Sequence, residues 1–155
     1  MYTVRGRSAA TAATADHALA SMWNGHSTQR IKIVSFAVFK QGGAGAAGDS
    51  IRFRRITGRG TAGSTVSPGI QNHSTRVVAP VSGVVLDLAA YSVQPTLDSL
   101  DLGFGWTAPA VQGSGIVYPI PGGIEIGPGA GLTIIQVAAT AWPASEITFS
   151  WAEDW

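Results

Sequence analysis

An all-β fold, an antiparallel jelly-roll-like sandwich or barrel with an extended N-terminal arm, is predicted by three features of the chain. About eight to ten short segments alternate apolar and polar residues with the period of a strand. Twenty glycines and eight prolines punctuate them, as tight turns between short strands require. No stretch carries a sustained apolar stripe at helical spacing. Eight principal strands with a long loop in the middle of the chain favour a jelly roll over an up-and-down barrel.

The stretch of residues 120–140, IPGGIEIGPGAGLTIIQVAAT, organises the rest. Ile124 and Ile126 alternate with Glu125, Gly127-Pro128-Gly129 interrupts, and Leu132, Ile134 and Ile135 open a second apolar run. Proline removes a donor and fixes φ while glycine accepts positive φ, so the expectation is a β-hairpin reversing at this tripeptide.

From the N-terminus, residues 2–5 form a first strand candidate, and the small-residue run of residues 8–14 reads as an edge strand or extended arm. Residues 17–23 follow as a strand that ends at the turn signal Asn24-Gly25. Residues 30–40, RIKIVSFAVFK, are apolar on both alternating faces, with Ile31, Ile33, Ala37 and Phe39 on one and Val34, Phe36 and Val38 on the other. That pattern belongs to a central strand, or to one whose outer face meets another subunit. In residues 51–57, Ile51 and Phe53 point inward and Arg52 and Arg54 outward. A wide loop over residues 58–72 holds a short strand at 61–66, and residues 75–79 and 83–88 make the next pair. Residues 89–106 are less regular, with one short helical turn expected around Leu97, Leu100 and Leu102. Residues 116–119, 124–126, 132–139 and 147–151 complete the set. The domain reading is an arm or edge strand over residues 1–15 and one β-sandwich over residues 16–155.

Only 12% of the residues are charged, about half the average for soluble domains. Much neutral surface follows, and with it an expectation of assembly. There is no cysteine, so disulfides and thiolate metal sites are excluded. No continuous apolar segment reads as a signal peptide or a membrane span, and the mature chain is expected to start at or near Met1. The charge is lopsided. Up to Arg76, ten bases face two acids, a net +8, whereas from Val77 onward there are seven acids and no base, a net −7. Either strands from the two halves interleave and balance locally, or complementary patches meet between subunits.

Several motifs invite functional readings. Residues 43–48, GAGAAG, fit the dinucleotide fingerprint by letter, but the following segment alternates like a strand and no acid sits at the ribose position. His17, His26 and His73 lie in separate segments without metal-ligand spacing. Gly113-Ser114-Gly115 lacks the nucleophile-elbow spacing, and Asp98 with Asp101, or Glu153 with Asp154, carry no mark of a catalytic carboxylate pair. Asn72-His73-Ser74 is a glycosylation sequon by letter alone. Neither catalysis nor a cofactor or metal is expected. Arg52, Arg54, Arg55 and Arg59 form a basic cluster, but alternation sends Phe53 to the opposite side, which favours a subunit or lattice contact over a nucleic-acid face. The tryptophans at 23, 106, 142, 151 and 155 are expected as core or interface anchors, with Trp155 docking an end that would otherwise fray.

Taken together, YTVRGRSAATAA, RIKIVSFAVF, GRGTAGSTV, VLDLAAYSVQPTL and the ending PIPGGIEIGPGAGLTIIQVAATAWPASEITFSW resemble small proteins of tailed bacteriophages, specifically capsid decoration (cement) proteins of the jelly-roll type. The resemblance covers most of the chain and rests on turns and strands. It implies a homotrimer on the outside of the virion, made in the host cytoplasm, with major capsid protein and its own copies as partners and no nucleic acid or membrane. It also implies a terminus reaching neighbouring subunits. Arg5, Arg7, Arg52, Arg54 and Trp155 are the candidate contact residues. Two rivals use the same fold. A tail or fibre head domain binding a host glycan would present Tyr91, Trp106 or Tyr118 to sugar rings, and a cupin-type enzyme would need His17, His26 and His73 to converge.

Overall fold

The computed structural model describes residues 1–41, 49–67, 80, 83–109 and 111–153, with the backbone alone at Asp49. Among the described residues there are ten strands: β1 (Tyr2–Ser8), β2 (Ala18–Asn24), β3 (Ile31–Lys40), β4 (Asp49–Gly58), β5 (Ser64–Val66), β6 (Val84–Leu88), β7 (Thr96–Ala108), β8 (Gly115–Ile126), β9 (Ala130–Gln136) and β10 (Ser145–Glu153). They form two antiparallel sheets packed face to face, one ordered β1-β10-β3-β8 and the other β5-β6-β2-β9-β4-β7. The chain is therefore an all-β sandwich. No helix among the described residues is long and apolar enough to cross a membrane.

The pairing is nested. β1 pairs with β10, β2 with β9, β3 with β8 and β4 with β7, while β5 and β6 extend the larger sheet beyond β2. One apolar layer fills the space between the sheets. Tyr2, Ile33, Phe149 and Trp151 from one side meet Met22, Phe53, Leu86 and Ile134 from the other, and the Phe36 and Phe53 rings lie 3.9 Å apart between centroids. Each large side chain so buried stabilises the fold by roughly 1.5–3 kcal/mol. Buried indoles keep a polar partner: Trp142 Nε1 donates to Ser145 Oγ at 2.9 Å and Trp151 Nε1 to the Glu153 carboxylate at 3.3 Å.

Four expectations are corrected. Residues 120–140 are not a hairpin: β8 and β9 lie in different sheets. Gly129, at φ 65°, completes the reversal, but its amide donates to Asn24 O on β2 at 2.8 Å. β9 then enters between β2 and β4, buried on both faces. In β3 the alternation slips at a bulge beside Val34 and Ser35, so Ile31, Ile33, Phe36 and Val38 face the core while Ala37 and Phe39 face out. Residues 96–108 are a strand, without the helical turn expected at Leu97, Leu100 and Leu102. Irregular register against β4 hides the alternation, and the carboxylates of Asp98 and Asp101 accept from Leu100 N and Gly103 N, stabilising the local bends. Finally, residues 116–119 and 124–126 belong to one strand, β8, joined through a bulge in which Gly122 and Gly123 take positive φ.

At the N-terminus, β1 is an edge strand whose Tyr2 and Val4 are buried in the core. The segment after it is tied down. Thr11 N donates to Trp142 O at 3.0 Å, and the buried Gln136 side chain accepts from the Thr11 hydroxyl while donating to Ala12 O and Thr14 O. The sheet edges differ in kind: β5 has three residues, β1 exposes Arg5 and Arg7, β7 carries register breaks, and β8 contains Pro119 and Pro121. The glycine run at residues 43–48, the strand expected at 75–79, the sequon, His73, Asp154 and Trp155 lie outside the described residues.

Candidate functional site

β7 and β8 are edge strands of opposite sheets, lying beyond β4 and β3, whose phenylalanines meet at the centre of the sandwich. On that side the core opens into a cleft of about 250 Å³. Phe36 and Phe53 form its floor, and Phe104, Trp106, Ile116 and Tyr118 its walls. The rings run in sequence, with Phe36 to Tyr118 at 5.5 Å and Tyr118 to Phe104 at 5.8 Å, within the range of favourable ring contacts. Phe104, Trp106 and Tyr118 are each half-buried, so their rings meet both core and solvent.

A second hollow of about 320 Å³ adjoins the first along Gly103, Phe104 and Gly105, and carries Arg52 and Asp101. The Arg52 guanidinium stands 3.7 Å from the Asp101 carboxylate, both partly exposed. Neighbouring Arg54 donates to Asp98 O at 2.6 Å. Gly103, at φ 70°, faces open space, which leaves a low wall between the two hollows.

A polar cluster on the outer face of the larger sheet is structural. The buried Asp87 carboxylate accepts from Arg59 Nε at 2.6 Å, Arg59 Nη2 at 2.8 Å and the Thr65 hydroxyl at 2.6 Å. The Asp87 hydrogen bond holds the Arg59 guanidinium above its ordinary pKa, with burial opposing. Beside it the Tyr91 hydroxyl donates to Ser21 Oγ at 2.9 Å and is close to Asp87 O at 3.0 Å. Burial pushes the Tyr91 phenol well above its usual range. Tyr91 is thus tied into the sheet instead of standing out as a stacking platform.

The contact residues expected from sequence are scattered. Arg5 bonds Glu146 at 3.1 Å on the β1 edge, and exposed Arg7 also faces Glu146 in register. Arg52 lines the second hollow and Arg54 is half-buried, while Trp155 is outside the described residues. The ion pairs Arg5–Glu146, Arg30–Glu125, Arg52–Asp101 and Arg59–Asp87 all join a base before Val77 to an acid after it. Nested pairing sets the first half of the chain against the second, so opposite charges meet within one molecule. Arg30 also holds the Glu125 carboxyl below its usual range, chiefly through their hydrogen bond. His26 Nδ1 accepts from Thr28 N and Gln29 N in the turn after β2, and no group of three metal-ligating side chains occurs among the described residues.

Trp106 and Tyr118, named from sequence, do come together, and Phe104 joins them. The alternation Gly103-Phe104-Gly105-Trp106 is the local signal for a strand with aromatics on one face and nothing on the other. On the outer face of the smaller sheet a second feature appears. Val117 and Phe39 are 64% and 37% exposed, Ala37 lies between Val117 and Thr148 in register, and the Phe39 ring covers Gly115. No family model matches this chain, and neither the curated proteins nor the solved structures searched contain a match.

Proposed function

We propose that this chain is a structural virion protein that binds the outside of a tailed-phage capsid as a homotrimer and stabilises the major capsid protein lattice. The observation that carries the reading is the neutral, apolar strip of Ala37, Phe39 and Val117 on the outer face of the four-stranded sheet. Exposed apolar side chains grouped on a rigid sheet suit a protein–protein contact. Nested strand pairing supports reading the sandwich as a jelly roll, an architecture that recurs in capsid proteins. The mechanism is thermodynamic: a module that binds the mature lattice more tightly than the loose one shifts the shell toward the mature form by its differential affinity.

The test is cosedimentation of the full chain with emptied phage heads, alongside sedimentation velocity of the free protein. Val117→Arg places a charge in the strip without touching the core. Binding is expected to fall by about tenfold or more, from the lost apolar burial and the desolvated charge. An unchanged bound fraction would reject this face as the contact.

A second reading, a tail or fibre head domain that binds a host glycan, is favoured by a separate observation, the aromatic cleft between β7 and β8.

A further inference from the structure

The geometry points to the cleft between β7 and β8 as a binding site for a neutral oligosaccharide, with one pyranose ring against Phe104, Trp106 and Tyr118 and the next beside Arg52 and Asp101. This deepens the glycan reading and is independent of the capsid contact, which uses a different face.

The chemistry of a pyranose matches the two hollows in order. One face of the sugar is a patch of C–H groups that packs on aromatic rings, while its rim is a ring of hydroxyls that both donate and accept hydrogen bonds. Half-buried Phe104, Trp106 and Tyr118 supply the first surface. Arg52 and Asp101, 3.7 Å apart and partly exposed, supply a donor fork and an acceptor for the second. Two hollows of about 250 and 320 Å³ lie side by side, in keeping with small-molecule sites of roughly 300–1,000 Å³ in all. Gly103 and Gly105 between them bear no side chain, and a Cβ at Gly103 would meet nothing within 4 Å. A chain of two rings can therefore cross β7 without a barrier.

Charge decides against a nucleic acid as the occupant. Stacked bases bring phosphates, and their binding requires a surplus of cations. Here Arg52 pairs with the Asp101 carboxylate, and Arg54 bonds the main chain of Asp98, a residue that carries a carboxylate of its own, so two arginines are set against two acids and the mouth lacks that surplus. A wholly apolar ligand would bury the Arg52–Asp101 pair without giving it hydrogen bonds. A neutral polyol does neither.

The experiment titrates the full-length chain with gluco-, galacto- and manno-configured neutral tetrasaccharides, each to millimolar concentration, following the Trp106 indole resonance by NMR. Saturable shifts of that resonance with at least one sugar are expected, unchanged by added salt because the ligand is uncharged. Phe104→Ala should weaken binding by about tenfold and Arg52→Gln by about two- to tenfold. Arg52 is exposed, so the second variant tests the site even if the first unfolds. The proposal is overturned if none of the three sugars moves the Trp106 signal, or if both folded variants bind like the parent chain. It is likewise overturned if only sulfated sugars bind and salt abolishes the effect, or if the Trp106 signal moves on dilution alone, which would make the cleft a contact between copies. Loss of capsid binding in Val117→Arg leaves these outcomes untouched, so the two readings fail separately.

Discussion

Replacing Gln136 by leucine tests what orders the residues after β1. The side chain is 1% exposed. It accepts from the Thr11 hydroxyl and donates to Ala12 O and Thr14 O, so three hydrogen bonds depend on one amide. Leucine keeps the apolar bulk and makes none of them. A typical intramolecular hydrogen bond contributes about 0.5–1.5 kcal/mol net, the higher figures applying where a buried partner is orphaned. Here the losses are partly offset. Residues 12 and 14 are exposed, so water can reach that segment, and the Thr11 oxygen keeps the Trp142 amide at 2.9 Å. The expected destabilisation is about 2 kcal/mol, which for a domain of this size lowers Tm by roughly 4–8 °C.

The loss should also be uneven along the chain. Amide exchange at Thr11 and Asp16, whose N–H groups bond Trp142 O and Gln136 O, should accelerate well beyond the change at Ile134 in buried β9. Gln136→Glu, which keeps the shape but loses both donors, should give a similar pattern at neutral pH. An unchanged Tm together with unchanged exchange at Thr11 would refute the idea that this amide clamps the segment.

Two further outcomes follow from the polar groups of the sandwich. Arg59→Gln strips two charge-assisted bonds from the buried Asp87 carboxylate and should cost about 1.5–3 kcal/mol in urea unfolding, whereas Arg5→Gln, at an exposed pair, should cost under about 1 kcal/mol; equal costs would contradict the assignment. Tyr2 and Tyr91 both have folded-state pKa values raised above 10.0, by burial in the first instance and for Tyr2 with Glu153 adding to it. Because the unfolded chain releases these protons first, their contribution is intact below about pH 10 and is lost as pH rises toward the folded-state values. Tyr91→Phe should therefore flatten the alkaline fall in stability, and a parent chain equally stable on both sides of pH 10 would exclude the effect.

The fold class is legible because alternation is a local property: Ile51 and Phe53 point inward and Arg52 outward as their spacing requires. What alternation cannot carry is the identity of the neighbour. Gly127-Pro128-Gly129 announces a reversal, but whether the next strand bonds β8 or enters the other sheet depends on which groove accepts Leu132 and Ile134. Bulges are equally silent. One slip at Val34 and Ser35 is enough to exchange the faces assigned to Ala37 and Phe36. The cleft is half legible, since Trp106 and Tyr118 stand out as residues, but its floor unites Phe36 and Phe53 from strands of opposite sheets. The opposed charges of the two halves become intelligible once β1 is seen against β10 and β4 against β7.

The treatment of the sheet borders has a consequence for crowding. A bare border invites another chain to continue the ladder, and growth by that route has no natural stopping point. Prolines on β8 withhold donors, distortions on β7 spoil the repeat, β5 is too short to template a long partner, and the exposed charged side chains of β1 resist being covered. Many molecules can thus sit shoulder to shoulder at high local concentration without fusing into fibres through ladder growth at these borders.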